Sequence, residues 1–203
     1  MNPNRRELLA IAGAGALAGY AGYAGGRETQ QKPQAKLPLA GQTSSVAIVK
    51  AASYSLDLAD AMLRGIIECG LDVAGKSVLL KPNFVEFDPR TCINTDVAVV
   101  ATALDVFRSL GASEVKIGEG PGHRRDTFAI AELTRYRSEI PGFEDVFVDL
   151  NRDDVSPIQG FADRGEFYFP NSVLAADLIV SLAKMKTHHW AGATLSMKNF
   201  FGL

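Results

Sequence analysis

Cysteine is scarce in this chain. Cys69 and Cys92 are the only two among 203 residues, so an iron–sulfur cluster, which takes about four cysteine ligands, is not ligated by this segment. In an oxidising compartment the two thiols could pair, but nothing in their spacing requires it. The simpler reading is one core thiol on a helix, Cys69, and one loop thiol, Cys92. A surplus of either charge is also missing. The net charge is −2, and Arg5, Arg6 and Glu7 contribute +1 of it, leaving the remainder near −3. That balance argues against non-specific nucleic-acid binding, which needs a concentrated basic surface. Several reaction motifs are absent as well. There is no Gly-x-Ser-x-Gly elbow, no His-Glu-x-x-His and no phosphate-loop lysine. Ser181 and Ser196 lack a His/Asp arrangement in sequence, which weakens a hydrolase reading.

What is present suits a soluble globular domain. Hydrophobic residues make up 47% and charged residues 22%, enough to bury a sizeable core in one domain. The first residues are different. Asn4-Arg5-Arg6-Glu7-Leu8-Leu9 leads into an apolar Ala/Gly-rich run, Leu8–Gly26. A charged start, a moderately apolar middle and small residues at its end make a secretion signal over residues 1–26. Paired arginines ahead of a weakly hydrophobic core resemble the twin-arginine signal, with Asn4 and Leu8 where that pattern usually has Ser or Thr and Phe. The run is short for a membrane span and is interrupted by glycines. Residues 27–43, polar with two prolines and no period, read as a flexible tether. The expectation is an exported, extracytoplasmic protein with transient membrane contact during export.

From Ser44 onward strand-like and helix-like segments alternate. Val46–Lys50, Ser77–Leu80, Glu114–Ile117, Val146–Asp149 and Leu178–Leu182 have strand character, with Phe167–Phe169 as an edge strand. Leu56–Cys69 carries Leu56, Ala59, Leu63, Ile66 and Ile67 on one helical face, and Gly70 stops it. Thr95–Leu110 carries Val99, Val100, Ala103, Leu104 and Phe107 ahead of Gly111. Thr127–Ser138 is a further helix, Leu174–Ala176 a helical turn, and another helix starts near Ala191. This order predicts an α/β domain over residues 44–203, three-layered, with a mainly parallel sheet and helices on both faces. The last residues, Ser196–Leu203, carry no closing strand or polar tail, so the chain reads as the N-terminal part of a longer protein.

In open α/β sheets ligands gather beyond the carboxyl ends of the strands. Lys81-Pro82-Asn83-Phe84 follows one strand, with Asn94-Thr95-Asp96 closing its loop. Gly118-Glu119-Gly120-Pro121-Gly122-His123 follows another. It lacks the spacing of the dinucleotide fingerprint, though its backbone N–H groups could form an anion nest. Lys184-Met185-Lys186-Thr187-His188-His189-Trp190 follows a third, and Lys198-Asn199 comes near the end. Lys81, Lys186 and Lys198 would hold a carboxylate or phosphate as point charges. Asn83, His123, Lys184 and Asn199 complete the ligand-binding candidates. Glu119, His188 and Lys186 are the catalytic candidates, Glu119 and His188 as proton carriers. Either His188 or His189 is a metal candidate, and adjacent histidines rarely serve together.

These segments, with Ser196-Met197-Lys198-Asn199-Phe200-Phe201-Gly202, resemble the family known as domain of unknown function 362, over about residues 46–203. The resemblance places Lys81, Asn83, Glu119, Lys186, His188, Lys198 and Asn199 on shared motifs. It implies no settled reaction. Ferredoxin-like iron–sulfur modules in some members hint at redox work and a redox partner protein, so the cofactor stays open. Three readings follow: an enzyme acting on a small anionic molecule, a non-catalytic anion or metal binder, and an accessory factor for an iron–sulfur partner.

Overall fold

The structure, a computed structural model, describes residues 43–54, 57–122, 125–159 and 165–203. The expected signal and all but the last residue of the tether, together with Leu56 and His123, lie outside the described residues. The elements in chain order are α1 (Leu58–Glu68), β1 (Ser77–Lys81), α2 (Val97–Ser109), β2 (Glu114–Glu119), α3 (Thr127–Leu133), α4 (Tyr136–Glu139), α5 (Phe143–Val146) and β3 (Phe147–Asp149). Then come β4 (Val155–Gln159), β5 (Glu166–Pro170), α6 (Asn171–Ala175), β6 (Leu178–Ser181), β7 (Lys186–His188), β8 (Gly192–Thr194) and α7 (Ser196–Phe200).

Four strands form the main sheet in the order β3-β2-β1-β6, and all three pairings are parallel. Strand β1 reads Ser-Val-Leu-Leu-Lys, a continuous apolar run buried from Val78 onward, as a parallel strand covered on both faces should be. Its residues alternate between two cores. Val78 and Leu80 join Val115, Ile117, Val100, Leu104 and Tyr136 on one face, while Leu79 joins Leu150 and Val173 on the other. Leu80 and Ile117 are fully enclosed, each worth about 1.5–3 kcal/mol of transfer free energy.

The winding explains the layers. From β1 through β2 to β3 the chain steps one way across the sheet, then returns past both to place β6 beyond β1. Parallel crossovers are right-handed, so steps in opposite directions lay their connections on opposite faces. Helices α2 to α5 accordingly supply the first core, and α6 with Phe169 of β5 supplies the second. The expected three-layer α/β fold is the one observed.

Several expected elements differ. Val46–Lys50 forms no strand: Val46 and Ile48 point outward at 82% and 97% exposure. A β-branched run becomes a strand only when a neighbour accepts its hydrogen bonds, and this one makes no ladder with β6. Instead Ala47 and Val49 line an apolar cleft of about 440 Å³ with Met62, Ile66, Phe107, Val180 and Leu182. Helix α1 turns Met62 and Ile66 to the core but leaves Ile67 exposed. The expected helix Thr127–Ser138 breaks at Arg135, whose φ is 67°. The break lets Tyr136 enter the core, where its hydroxyl donates to Thr95 O at 2.8 Å. Helix α2 fits its sequence better: Asp96 caps it by accepting from Ala98 N at 2.9 Å.

Phe167–Phe169 lies in β5, but that strand pairs antiparallel with β4 in a separate two-stranded sheet. The region after β6 is a hairpin, β7 against β8, rather than a loop leading to a helix from Ala191. Gly192, at a φ of 74°, starts β8, and the helix begins only at Ser196. Both cysteines are free and exposed, Cys69 included.

Candidate functional site

The strand order reverses between β1 and β6, and the carboxyl ends of strands at such a point are where open α/β sheets build their crevice. Lys81 and Ser181 are register partners on those ends. Glu119 closes the next strand, β2. β1 and β6 end level and β2 runs one residue further, which brings Lys81 beside both Ser181 and Glu119.

Lys81 turns toward Glu119, not toward solvent. Its Nζ lies 2.7 Å from Glu119 Oε1, with side-chain exposures of 3% and 1%, and it also donates to Pro82 O at 3.0 Å. Glu119 Oε1 further accepts from Phe84 N at 3.0 Å, and Oε2 from Gly120 N at 3.0 Å. A carboxylate with three donors is well satisfied, yet burial still raises its pKa above the usual range, with Lys81 opposing that effect. The pair is thus a structural pin at the base of the crevice as well as a pair of candidate functional groups.

Above it, Asn199 ties α7 to both strand ends. Its Nδ2 donates to Lys81 O at 2.8 Å and to Ser181 Oγ at 3.0 Å. Those two acceptors orient the amide and leave Asn199 Oδ1 as a buried acceptor with no partner. Asn83 is held from the other side: its N–H donates to Thr95 Oγ1 at 2.9 Å, and that hydroxyl donates to Leu182 O at 2.7 Å. Thr95 thereby clamps the loops after β1 and β6 together.

Lys186, half-buried at the start of β7, reaches across to the β1 loop. Its Nζ donates to Asn83 Oδ1 at 2.6 Å and to Ile93 O. Burial pulls its pKa down to about 8, the cations Lys184 and Lys198 push the same way, and Glu119 opposes them. Lys184 contacts the Tyr54 hydroxyl at 3.0 Å and its ring at 5.3 Å. Lys198 sits 5.5 Å from the Phe201 ring centroid. Among the described residues, Lys81 alone of these four lysines has a carboxylate partner. The result is a cationic rim over a neutralised base.

His188 Nδ1 accepts from Trp190 N and Ala191 N, both at 3.2 Å. Desolvation, then Lys198, His189 and Lys186, lower its pKa. His189 stacks on His188 with ring centroids 5.0 Å apart. No group of three or more His, Cys, Asp or Glu side chains fit to hold a metal ion occurs among the described residues.

The structure therefore gathers Lys81, Asn83, Glu119, Lys186 and Asn199, and sets Lys184, Lys198 and His188 around them. It also gives the Gly118–Gly122 segment a packing role. A Cβ on Gly118 would come within 3.0 Å of Leu79 and 3.1 Å of Leu150, and one on Gly120 within 3.1 Å of Asn151. Gly120 N already serves Glu119, so that N–H is not part of an anion nest. Thr95, Ser181, Tyr54 and Tyr136 were missed as supporting residues. Thr95 sat inside a highlighted motif, but nothing local marks the other three, whose partners are distant in sequence.

A protein-family model described as "Domain of unknown function (DUF362)" matches residues 78–203, more than half of the chain and all the strands described above but for Ser77, the first residue of β1. The chain belongs to the DUF362 family. No curated protein and no solved structure matches it. In this DUF362 domain the matched span opens at Val78 of β1 and includes the whole crevice, from Lys81 to Asn199 and Gly202. Gly202 packs over the base, where an added Cβ would lie 3.6 Å from Lys81 Nζ.

Proposed function

We propose that this DUF362 domain binds a small organic anion, a carboxylate or phosphate, in the crevice between the ends of β1 and β6, and acts on it as an enzyme. The observation that carries the reading is the rim of Lys184, Lys186 and Lys198. None of the three has a carboxylate partner among the described residues, and burial first, with Lys184 and Lys198 adding to it, lowers the pKa of Lys186. Burying like charges without compensation is costly, and an anionic ligand removes that cost. Lysine suits this role as a compact charge with rotatable donors. The orphan Asn199 Oδ1 supplies an acceptor for a hydroxyl or amine on the same ligand.

Glu119 and His188 are the proton carriers in this reading, and a redox-linked reaction with a partner protein is its finer form. The Arg5-Arg6 leader supports export, so the anion would be met outside the cytoplasm.

The chain's single tryptophan, Trp190, is exposed beside His189 with ring centroids 4.8 Å apart. Its emission is a label-free reporter for titration with phosphate, lactate or pyruvate. Saturable quenching that weakens at least about tenfold in a Lys184→Met/Lys198→Met variant supports the reading, since salt-sensitive contacts to each cation contribute about 1 kcal/mol. Absence of saturable binding in the parent protein sinks it. A ligand that binds and stabilises the fold yet is recovered unchanged supports the non-catalytic alternative.

A further inference from the structure

From Leu178 to Leu203 the sequence has three lysines and two histidines and no Asp or Glu, although the net charge of the chain is −2. The same stretch holds four large apolar side chains that stand almost wholly in solvent. Met185, Trp190, Met197 and Phe201 are each 80–88% exposed. They are interleaved with the cations. Met185 lies between Lys184 and Lys186 at the start of β7, and the turn into β8 carries Trp190 against His189, which stacks on His188. Lys198 is close enough to His188 to disfavour its charge, and its ammonium lies 5.5 Å from the Phe201 ring centroid. Helix α7, which carries Met197 and Lys198, packs on β8. Hairpin and helix therefore present one continuous surface, apolar and cationic by turns. Single exposed apolar residues are ordinary, but a contiguous group of them marks an interaction surface.

We propose that this face is a docking surface for an anionic lipid bilayer. Charge sorts the possible occupants. A second copy of the chain would set lysines against lysines. Residues 1–42 carry Arg5, Arg6, Arg27, Lys32 and Lys36 against Glu7 and Glu28, a surplus of the same sign. An anionic surface is the complement, and a bilayer also takes up the apolar side chains. Trp and Phe settle at the level of the headgroups. Lysines lay their stems along the apolar boundary and keep their ammonium groups at the lipid phosphates.

Shape favours a bilayer over an acidic protein. The four apolar side chains project from a hairpin and a short helix, and none of them lines the apolar cleft beside α1. A folded partner would need a matching surface to bury them, whereas a fluid boundary needs none. The inference goes beyond the anion-binding reading. Lys184 and Lys198 serve in both, but the apolar side chains have a role only at a bilayer.

The test mixes the whole chain with vesicles of phosphatidylcholine, with or without phosphatidylglycerol, and follows co-sedimentation and the emission of Trp190. Because the single tryptophan sits on this face, its emission separates docking here from sedimentation through residues 1–26. The expected result is a blue shift with the anionic vesicles. Each lysine should contribute about fivefold to partition, so Lys184→Gln/Lys198→Gln should weaken it at least about tenfold. Met197→Ser/Phe201→Ser changes two exposed side chains, keeps every lysine and Trp190, and should also weaken it at least about tenfold. Co-sedimentation with unshifted Trp190 emission overturns the proposal. So does equal partition into neutral and anionic vesicles, or a Met197→Ser/Phe201→Ser variant that binds like the parent. A response to free phosphate to which vesicles add nothing overturns it and leaves the anion reading standing. A shift with soluble poly-glutamate but not with anionic vesicles assigns the face to an acidic protein, and one that tracks protein concentration assigns it to a second copy; either overturns the proposal.

Discussion

Lys81 and Glu119 end adjacent parallel strands and meet 2.7 Å apart with almost no solvent contact. Removing one partner strands the other as an uncompensated buried charge, which costs about 3–5 kcal/mol. Lys81→Met and Glu119→Gln should each lose that order of stability in chemical denaturation. The raised pKa of Glu119 means that desolvation outweighs its partner. The folded state then holds the Glu119 proton to higher pH than the unfolded chain, and this group's contribution falls as pH rises from the ordinary carboxylate range through the folded value. A Lys81→Met/Glu119→Gln double variant, whose amide oxygen still accepts from a backbone N–H at this position, should therefore recover much of the single-variant loss. A double variant as unstable as the sum of the singles would contradict this account.

Asn199 joins α7 to the sheet through donors alone. Asn199→Ala removes one of the two donors to Lys81 O, which keeps Leu182 N at 2.9 Å, together with the donor to Ser181 Oγ, and about 1 kcal/mol should be lost. Asn199→Asp should do worse, because a carboxylate would face two acceptors where an NH₂ now sits. Equal thermal stability of the Asp and Ala variants would show that the amide is not oriented as described.

Gly118 is required by its neighbours. Gly118→Ala drives a methyl group to 3.0 Å from Leu79 and 3.1 Å from Leu150, and overpacking of this kind costs about 1–3 kcal/mol. Gly122, with nothing within 4 Å of an added Cβ, should accept alanine with a change below about 0.5 kcal/mol. Comparing the two separates packing from loop freedom.

His188 makes the hairpin sensitive to acid. Its Nδ1 must be unprotonated to accept from Trp190 N and Ala191 N. Its folded pKa lies below 6.5, so the folded state binds that proton less readily than the unfolded chain. The stabilising contribution is complete above 6.5 and is lost as pH falls through the folded value. Trp190 emission should change over that acid range, and a His188→Phe variant should show no such step. A step of the same size in the variant would assign it to another group.

Much of the fold was legible beforehand. Continuous apolar runs at Val78–Leu80 and Leu178–Val180, separated by amphipathic segments with Gly or Asp at their ends, are local patterns that encode parallel strands and covering helices. The residues brought to the crevice were legible for the same reason, since a polar side chain just after a buried strand arrives at the sheet's carboxyl edge. Val46–Lys50 misled because β propensity expresses only half of a strand, and the partner edge is a tertiary fact. The hairpin at Lys186–Thr194 was hidden because three-residue strands carry too little pattern to read.

Sequence by itself therefore determined which residues stand at the strand ends, because each strand's length and polarity are written in consecutive positions. Only the tertiary structure decided what each of them does there. Lys81 and Lys186 are the same residue type in similar motifs, yet one is neutralised by Glu119 and the other is held by two neutral oxygens. The difference comes from groups at least 38 residues away in the chain. A lysine's charge state follows from burial and neighbouring charges, and those exist only once the strands have been brought side by side.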